Sequence, residues 1–415
     1  MIIRIITVHA GSTPLDPKEI KISFEVSDDV KCFTQFEFVT HYSCDVDGVP
    51  YGIAIIPFVC NVLPIVWLMG GTLVCDELDY DFYQSITEFK KGYQEIYPEL
   101  NFGGNIECKA VQYNSVKNNK SLVFFSGGVD AFATLFAHIN ENPVLFTICG
   151  ADIRLDNTKG WDFVAAQINE VSKEFALSSI QCYSNFRDFI DECMLCRMVK
   201  DLGAKDDWWH GFQHGIGLIG HAAPISFKYG INKNYIASTY TIRERSYTTC
   251  ASDPRIDNFV RFCSSSVSHD QYEFNRQEKI SHIVEYCRNH NKKIFLRVCW
   301  LDTNGKNCCC CEKCYRTVVG LLAEGANPED YGFREIDLKR LEHELKYKIM
   351  VPNHIIPLWR DIQQTIKNND VKTQVEWLRT YDVAKLHYNV VKGIITKNKT
   401  VKRFLRKVAG YFFHR

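Results

Sequence analysis

The stretch that most limits how this chain can fold is Ser121-Leu-Val-Phe-Phe-Ser-Gly-Gly-Val-Asp130. Leu122 to Phe125 is a short apolar run that reads as a buried parallel strand. Ser126-Gly127-Gly128 ends it, and a helical pattern follows at once, with Phe132, Leu135, Phe136 and Ile139 recurring on one face. A strand, a glycine turn and a helix start together make an anion site. Glycine lets the backbone bend and approach a ligand closely. The first N–H groups of the helix then point at the ligand, and the helix dipole favours negative charge there. Ser126, Gly127, Gly128, Val129 and Asp130 are therefore candidate phosphate-binding residues. Asp130, in the first helical turn, also suits a magnesium ion held on phosphates. The Walker pattern G-x-x-x-x-G-K-[ST] is absent.

Downstream, short apolar strands alternate with helical patterns. Pro143 to Cys149 is a strand ending in Gly150-Ala-Asp152, and a helix spans 161–175. A strand at 179–183 precedes a helix expected over 186–199. A glycine-spaced helical stretch follows over 208–223, then a strand over 234–239. This alternation predicts an α/β fold with a doubly wound parallel sheet. Ligands bind beyond the carboxyl ends of such strands. Ser126, Asp152 and Thr239 fall at those ends and are expected to share one crevice.

Three regions are expected. Residues 1–118 read as a β-rich α+β domain with strands at 24–38 and 51–60 and a helix at 80–97. The uncharged run Gly52 to Gly71 has the length of a membrane span, but Pro57 and Pro64 interrupt it. Two buried strands with a turn are the expected account. Residues 119–335 form the nucleotide-binding domain with a cysteine cluster. Residues 336–415 are helical and charged, closing with Val391 to Arg415, which carries eight Lys or Arg and no acid. That tail suits contact with nucleic acid or an anionic membrane, or equally a solvated helix packed on the body.

The whole chain carries 49 basic and 49 acidic side chains, so no global charge drives it toward nucleic acid or membrane. Met1 to Thr7 is too short for a secretion signal and reads as a strand. The 18 cysteines do not form the pattern of a small secreted disulfide framework. A cytoplasmic setting is expected.

Six of those cysteines fall between Cys299 and Cys314. Cys299, Cys308, Cys311 and Cys314 have the spacing C-x8-C-x2-C-x2-C. Each C-x2-C turn brings two sulfurs to one metal at roughly 2.3 Å, and four thiolates leave no open position. A Zn²⁺ there would be structural; Cys309 and Cys310 are competing ligands.

The loop resembles the S-G-G-x-D-S signature of the PP-loop ATP pyrophosphatases, which split ATP between its α- and β-phosphates. Ala131 stands where the signature has its last serine. Loop and cysteine spacing together resemble the 7-cyano-7-deazaguanine synthase branch. That resemblance covers about residues 119–320 and leaves out residues 1–118 and the tail. In the branch, the cysteines hold a structural zinc beside the active site with a basic residue just beyond, a place Arg316 fits. Asn275-Arg-Gln-Glu-Lys-Ile280 is similar to the branch's K-x-E-I stretch, with Arg276 and Glu278 in the charged places.

The resemblance implies ATP, Mg²⁺ and Zn²⁺ as cofactors and Asp130, Arg276 and Arg316 as catalytic residues. The reaction implied adenylates a carbonyl oxygen of an acyl substrate such as 7-carboxy-7-deazaguanine, which then reacts with ammonia. The branch's P-G-R-N stretch has no clear counterpart; Gln213-His-Gly-Ile-Gly217 stands in its place. With the added N-terminal region, this looks more like divergent relatives in phage-defence and surface-polysaccharide gene clusters. A protein partner is expected to engage that region. Three readings stay open: a carbon–nitrogen ligase, a non-catalytic nucleotide-binding scaffold, or the same adenylation with another nucleophile, including sulfur transfer through Cys193 and Cys196. His210, His214 and His221, at spacings of four and seven, fall near one helical face as proton relays or a second metal site.

Overall fold

The computed structural model describes residues 1–11, 16–27, 31–116, 118–246, 248–299, 301–302, 304–369 and 374–386. The basic tail 391–415 lies outside them. Two compact units are present: Met1–Glu273 with Thr303–Gly305, and Phe274–Asp302 with Lys306–Arg415.

The first unit is built on one mixed sheet of eleven strands. In chain order these are β1 (Ile2–Ala10), β2 (Glu19–Val26), β3 (Glu37–Tyr42), β4 (Thr72–Asp79), β5 (Asn105–Gln112), β6 (Lys120–Phe124), β7 (Val144–Cys149), β8 (Ser179–Ser184), β9 (Ile231–Ala237), β10 (Arg261–Phe262) and β11 (Ser265–Asp270). Their spatial order is β10-β11-β9-β6-β7-β8-β3-β2-β1-β4-β5. From β11 to β8 every neighbouring pair is parallel. Numbered by chain position among themselves, these five strands read 5-4-1-2-3, the doubly wound, Rossmann-like order seen from its other end. The order reverses between β6 and β9, so the topological switch point lies at their carboxyl ends.

The strands of residues 1–118 continue that same sheet. β3 joins β8 antiparallel, with Thr40 opposite Ser184. The expected strand at 24–38 is two strands, β2 and β3, and the expected strand at 51–60 is helical. Tyr51–Ala54 and Ile56–Leu68 are helices, and nearly every residue of the second is buried. An apolar run without alternation fits a buried helix as well as buried strands, and length is the only local arbiter. Pro57 stands in the first turn, where its missing N–H costs nothing. Thirteen residues are too few to cross a bilayer, and no helix among the described residues is long and apolar enough to do so.

A buried polar contact fixes this helix. The Asn61 amide donates to Pro57 O (2.8 Å), and the Gln213 amide donates to Asn61 Oδ1 (2.8 Å) and Phe186 O (2.9 Å). Trp208 Nε1 donates to Gln213 Oε1 at 3.0 Å. Asn61 and Gln213 are both fully buried. The helix expected over 186–199 instead begins at Glu192, with the Asp191 carboxylate accepting from Met194 N. Residues 185–189 form a turn in which Asn185 Oδ1 accepts from Val39 N.

The second unit packs the helices Arg276–Asn289, Glu312–Ala323, Leu338–Tyr347 and Ile356–Asn368. Ile280, Ile283, Leu296, Val318, Leu341 and Trp359 are among its buried apolar side chains.

Gln213→Leu should lower unfolding stability by about 3 kcal/mol, because it strands Asn61 Oδ1, Phe186 O and the Trp208 N–H. In a urea titration, Asn61→Leu combined with Gln213→Leu should cost clearly less than the two single changes summed. Additive losses would show that the amides do not act as a pair.

Candidate functional site

The loop Phe125–Gly128 leaves β6 at the switch point. Phe125 N–H donates to Phe146 O on β7 (2.8 Å), so the strand pair holds its base. Gly127 has φ +75°, a conformation that a side chain would strain. Gly128 caps the helix Val129–Ala137 without any side-chain cap bond, and its N–H donates to Ser126 Oγ at 3.4 Å. Ser126 is exposed and Asp130 half-buried in the first turn. Ala131, where the resembling signature has serine, is 3% exposed, and Val129 is wholly buried. Of the loop, Ser126 is the exposed side chain, while Gly127, Gly128 and Asp130 are half-buried.

Asp152 follows β7 through a tight turn. Gly150 has φ +102°, and a Cβ there would stand 2.0 Å from Ser184 O. Only glycine lets the β7 end lie so close to the end of β8. Asp152 is exposed and close enough to act on His214. Beside it, the Arg187 guanidinium donates to Ala151 O (3.0 Å) and Glu192 Oε2 (2.8 Å), and lies 4.1 Å from the Trp209 ring. Nothing in the local sequence marks Arg187: its partners come from three separate stretches.

The three histidines part company. Trp209–Gln213 is one turn of wider, π-type helix. The extra residue in that turn breaks the even 3.6-residue spacing on which a common face depends. His221 lies between two helices and is fully buried. Its Nδ1 donates to Gly217 O at 2.7 Å, and its Nε2 accepts from Ser184 Oγ at 2.8 Å. Burial pulls its pKa down to about 4, opposed by the backbone contacts. It is a neutral structural residue, not a relay. His210 and His214 instead converge on Cys250, a residue the sequence did not single out. His210 Nδ1 lies 3.0 Å from Asp206 Oδ1. The Asp206–His210–His214 spacing of four was the available signal; Cys250 sits too far along the chain to join it by pattern.

The second unit carries the thiol cluster. The sulfurs of Cys299, Cys308, Cys311 and Cys314 all lie within 4.8 Å of one another. Cys299–Cys311 is 4.0 Å and Cys308–Cys314 is 3.9 Å. A tetrahedron with metal–sulfur bonds of about 2.3 Å has edges of about 3.8 Å, so these four could hold a metal ion such as zinc. None of the cysteines is in a disulfide. The framework is built for sulfur. Cys311 starts the helix Glu312–Ala323 and accepts from Cys314 N at 3.4 Å, while Cys299 accepts from Asp302 N at 3.3 Å. Asn307 braces the first ligand: its Oδ1 accepts from Val298 N (3.0 Å), and its Nδ2 donates to Leu296 O (2.8 Å). Cys309 turns through φ +55° and faces Asn307 O, and Cys310 is exposed; neither joins the four. Four thiols this close cannot all ionise without a cation between them.

Arg316, on the same helix, is 6% exposed and pairs with Glu312 at 3.0 Å. Trp359 Nε1 also donates to Glu312, at 2.8 Å. Arg276 opens the helix Arg276–Asn289, whose start is a capping box. Asn275 Oδ1 accepts from Glu278 N (3.0 Å), and Glu278 Oε2 accepts from Asn275 N (2.6 Å). Glu278 therefore has a structural task in the stretch read as K-x-E-I. Cys193 is exposed, but Cys196 accepts from Trp208 N and its thiol is raised by burial, the opposite of an activated pair.

The fold is α/β with a large, mostly parallel sheet compatible with a Rossmann-like fold, and it carries four cysteines that could hold a metal ion. No family model, curated protein or solved structure matches the chain.

Protein prepared with zinc should hold about one equivalent of metal by elemental analysis. Cys311→Ser should lose most of it and lower the melting temperature of the chain by several degrees. A full equivalent retained in that variant would exclude Cys311 as a ligand.

Proposed function

We propose that the protein is an ATP-using enzyme of the PP-loop type, resembling the 7-cyano-7-deazaguanine synthase branch, that adenylates a carbonyl oxygen of an acyl substrate. The observation that carries this reading is the glycine turn Ser126–Gly128, which lies at the reversal of a doubly wound sheet and starts a helix whose N-cap, Gly128, has no side-chain cap bond. That is where such sheets take nucleotides, and the Ser126 side chain reaches the Gly128 N–H donor only at 3.4 Å.

In this reading, Ser126 and the backbone N–H groups of Gly127, Gly128 and Val129 hold the phosphates. Asp130 and Asp152 supply carboxylates for a magnesium ion, which typically binds one or two carboxylates together with substrate phosphates. Bound there, the ion would offset charge on the departing pyrophosphate. The substrate carbonyl oxygen attacks the α-phosphate, pyrophosphate leaves, and ammonia displaces AMP from the acyl carbon. Positioning and electrostatic stabilisation supply the rate without a protein nucleophile in this step. The four-cysteine cluster is structural in the same reading: with four thiolates it keeps no open position.

Ala131 favours a second reading, a nucleotide-binding module without turnover. The resembling signature has a serine there, whose hydroxyl this chain lacks.

With ATP, Mg²⁺, ammonium and 7-carboxy-7-deazaguanine, the zinc-loaded protein should form AMP and pyrophosphate. Asp130→Ala should cut that rate by about a hundredfold or more, with the fold intact by circular dichroism. Unchanged turnover in the variant would exclude the proposed role of Asp130. ATP bound but never cleaved with any acyl donor would favour the second reading.

A further inference from the structure

The loop that follows β9 brings a cysteine, two histidines and a carboxylate together in the first unit, and the adenylation reading uses none of them. Asp206 is the base of the group. Its Oδ2 accepts from Tyr97 OH at 2.7 Å and from the Thr249 hydroxyl, and its Oδ1 faces His210 Nδ1 at 3.0 Å. Burial alone would raise this carboxyl, but those three contacts outweigh it and hold it below the usual range. With Nδ1 committed to Asp206, the other ring nitrogen of His210 is left for the Cys250 thiol, with Tyr240 OH 3.4 Å from it. Ala251 N donates to His210 O at 2.8 Å, pinning the cysteine's own loop to the histidine's turn. Ser252 N donates to Cys250 Sγ at 3.4 Å. His214 approaches the sulfur as a second imidazole.

We propose that Cys250, His210 and Asp206 form an acyl-transfer centre, in which the Cys250 thiolate takes an acyl group from an activated ester-type donor as a covalent thioester. The arrangement places nucleophile, base and orienting carboxylate in series, with Asp206 bonded to His210 and the Cys250 loop packed on the turn His210–Gly215, the order such chemistry requires. Metal binding fits less well. Among the described residues, the four-thiol group is the set whose ligand atoms lie within 4.8 Å of one another, and His210 Nδ1 is already engaged by Asp206. Reach is one-sided: Cys250 is 7% exposed, whereas the His210 side chain is 35% exposed, so a donor enters past the imidazole.

The step balances. Sγ attacks the carbonyl carbon, the S–C bond forms, and the bond to the leaving oxygen breaks with its electron pair. The leaving oxygen takes a proton from the His210 imidazolium. Water or an amine then attacks the thioester, its proton passes to His210, and the S–C electron pair returns to sulfur. Two imidazoles support the thiolate. Burial would raise the thiol, but hydrogen bonds from His210 and His214 overcome it and bring it down to about 6. His210 is raised to about 10, chiefly by its bond to Asp206 and then by Cys250. The other titratable groups facing the cluster are Tyr93 from the helix Tyr80–Ile96, Tyr97 at that helix's C-cap, Tyr240, Asp152 near His214, and Asp257, whose Oδ1 lies against Gly215.

The test uses the full chain and p-nitrophenyl acetate, without ATP, so it succeeds or fails independently of the adenylation reading. After a brief exposure at pH 7, peptide mapping by mass spectrometry should find the acetyl group on Cys250 at least about tenfold faster than on the exposed Cys193 and Cys310. The rate at Cys250 should rise with the thiolate fraction, through a midpoint near pH 6, and be flat above pH 7. His210→Ala should slow it about tenfold or more, and Asp206→Asn should move the midpoint upward, an effect of the positioning residue that simple loss of packing would not give. Labelling of Cys250 no faster than Cys193 and Cys310 in the unaltered protein, or a rate still climbing above pH 8, would overturn the proposal.

Discussion

The first unit depends on a pair of buried amides. Asn61, on an apolar helix from the N-terminal part of the chain, accepts from Gln213, on the turn that carries His210 and His214. Neither amide reaches water, so each must find its partners inside the protein, and an unmet group costs about 1–3 kcal/mol. The amides fix its register, because Gln213 also holds Phe186 O and the Trp208 indole N–H. The turn after β8 and the histidine-bearing turn are thus set by a residue far upstream. This is why residues 1–118 do not read as a module added to the parallel core: their strands extend its sheet through β3 and β8, and their buried helix braces the residues at its carboxyl edge.

That edge concentrates features of different chemistry. At the reversal of strand order lies a glycine turn that starts a helix without a side-chain cap bond from its N-cap residue. Beyond β7 and β8 lie Asp152 and Arg187, brought near each other because Gly150 lets the strand ends approach. After β9 comes the loop with Cys250. A doubly wound sheet makes such convergence ordinary, since every loop leaving a parallel strand emerges on the same side. The sheet also explains why the residues are dispersed in sequence while being local in space.

Legibility followed the range of the interactions. Ser126–Asp130 and the C-x8-C-x2-C-x2-C spacing could be read because their geometry is local: a turn followed by a helix, and two-residue gaps that bring sulfurs together. The alternation of strands and helices gave the parallel part of the sheet for the same reason. The helix Ile56–Leu68 reads as strands in the sequence because burial on all sides removes the periodicity that distinguishes the two. His221 was grouped with His210 and His214 on an even helical spacing that a single π-type turn interrupts. Cys250 could not be found at all, since the contacts that make it chemically distinct come from the helix turn at 206–214, some forty residues earlier in the chain. Glu278 shows the reverse case. A charged residue in a suggestive motif is a capping-box acid, a role its spacing from Asn275 also announced.

The most direct measurement of whether the switch-point turn is a nucleotide site is equilibrium binding of ATP to the full chain by isothermal titration calorimetry, with and without Mg²⁺. Binding should be saturable and displaced by pyrophosphate. Gly127→Val, which puts a branched side chain on a residue at φ +75°, should weaken it at least about tenfold. Absence of binding at millimolar ATP, or binding that Gly127→Val leaves unchanged, would contradict the assignment of the turn as the phosphate site.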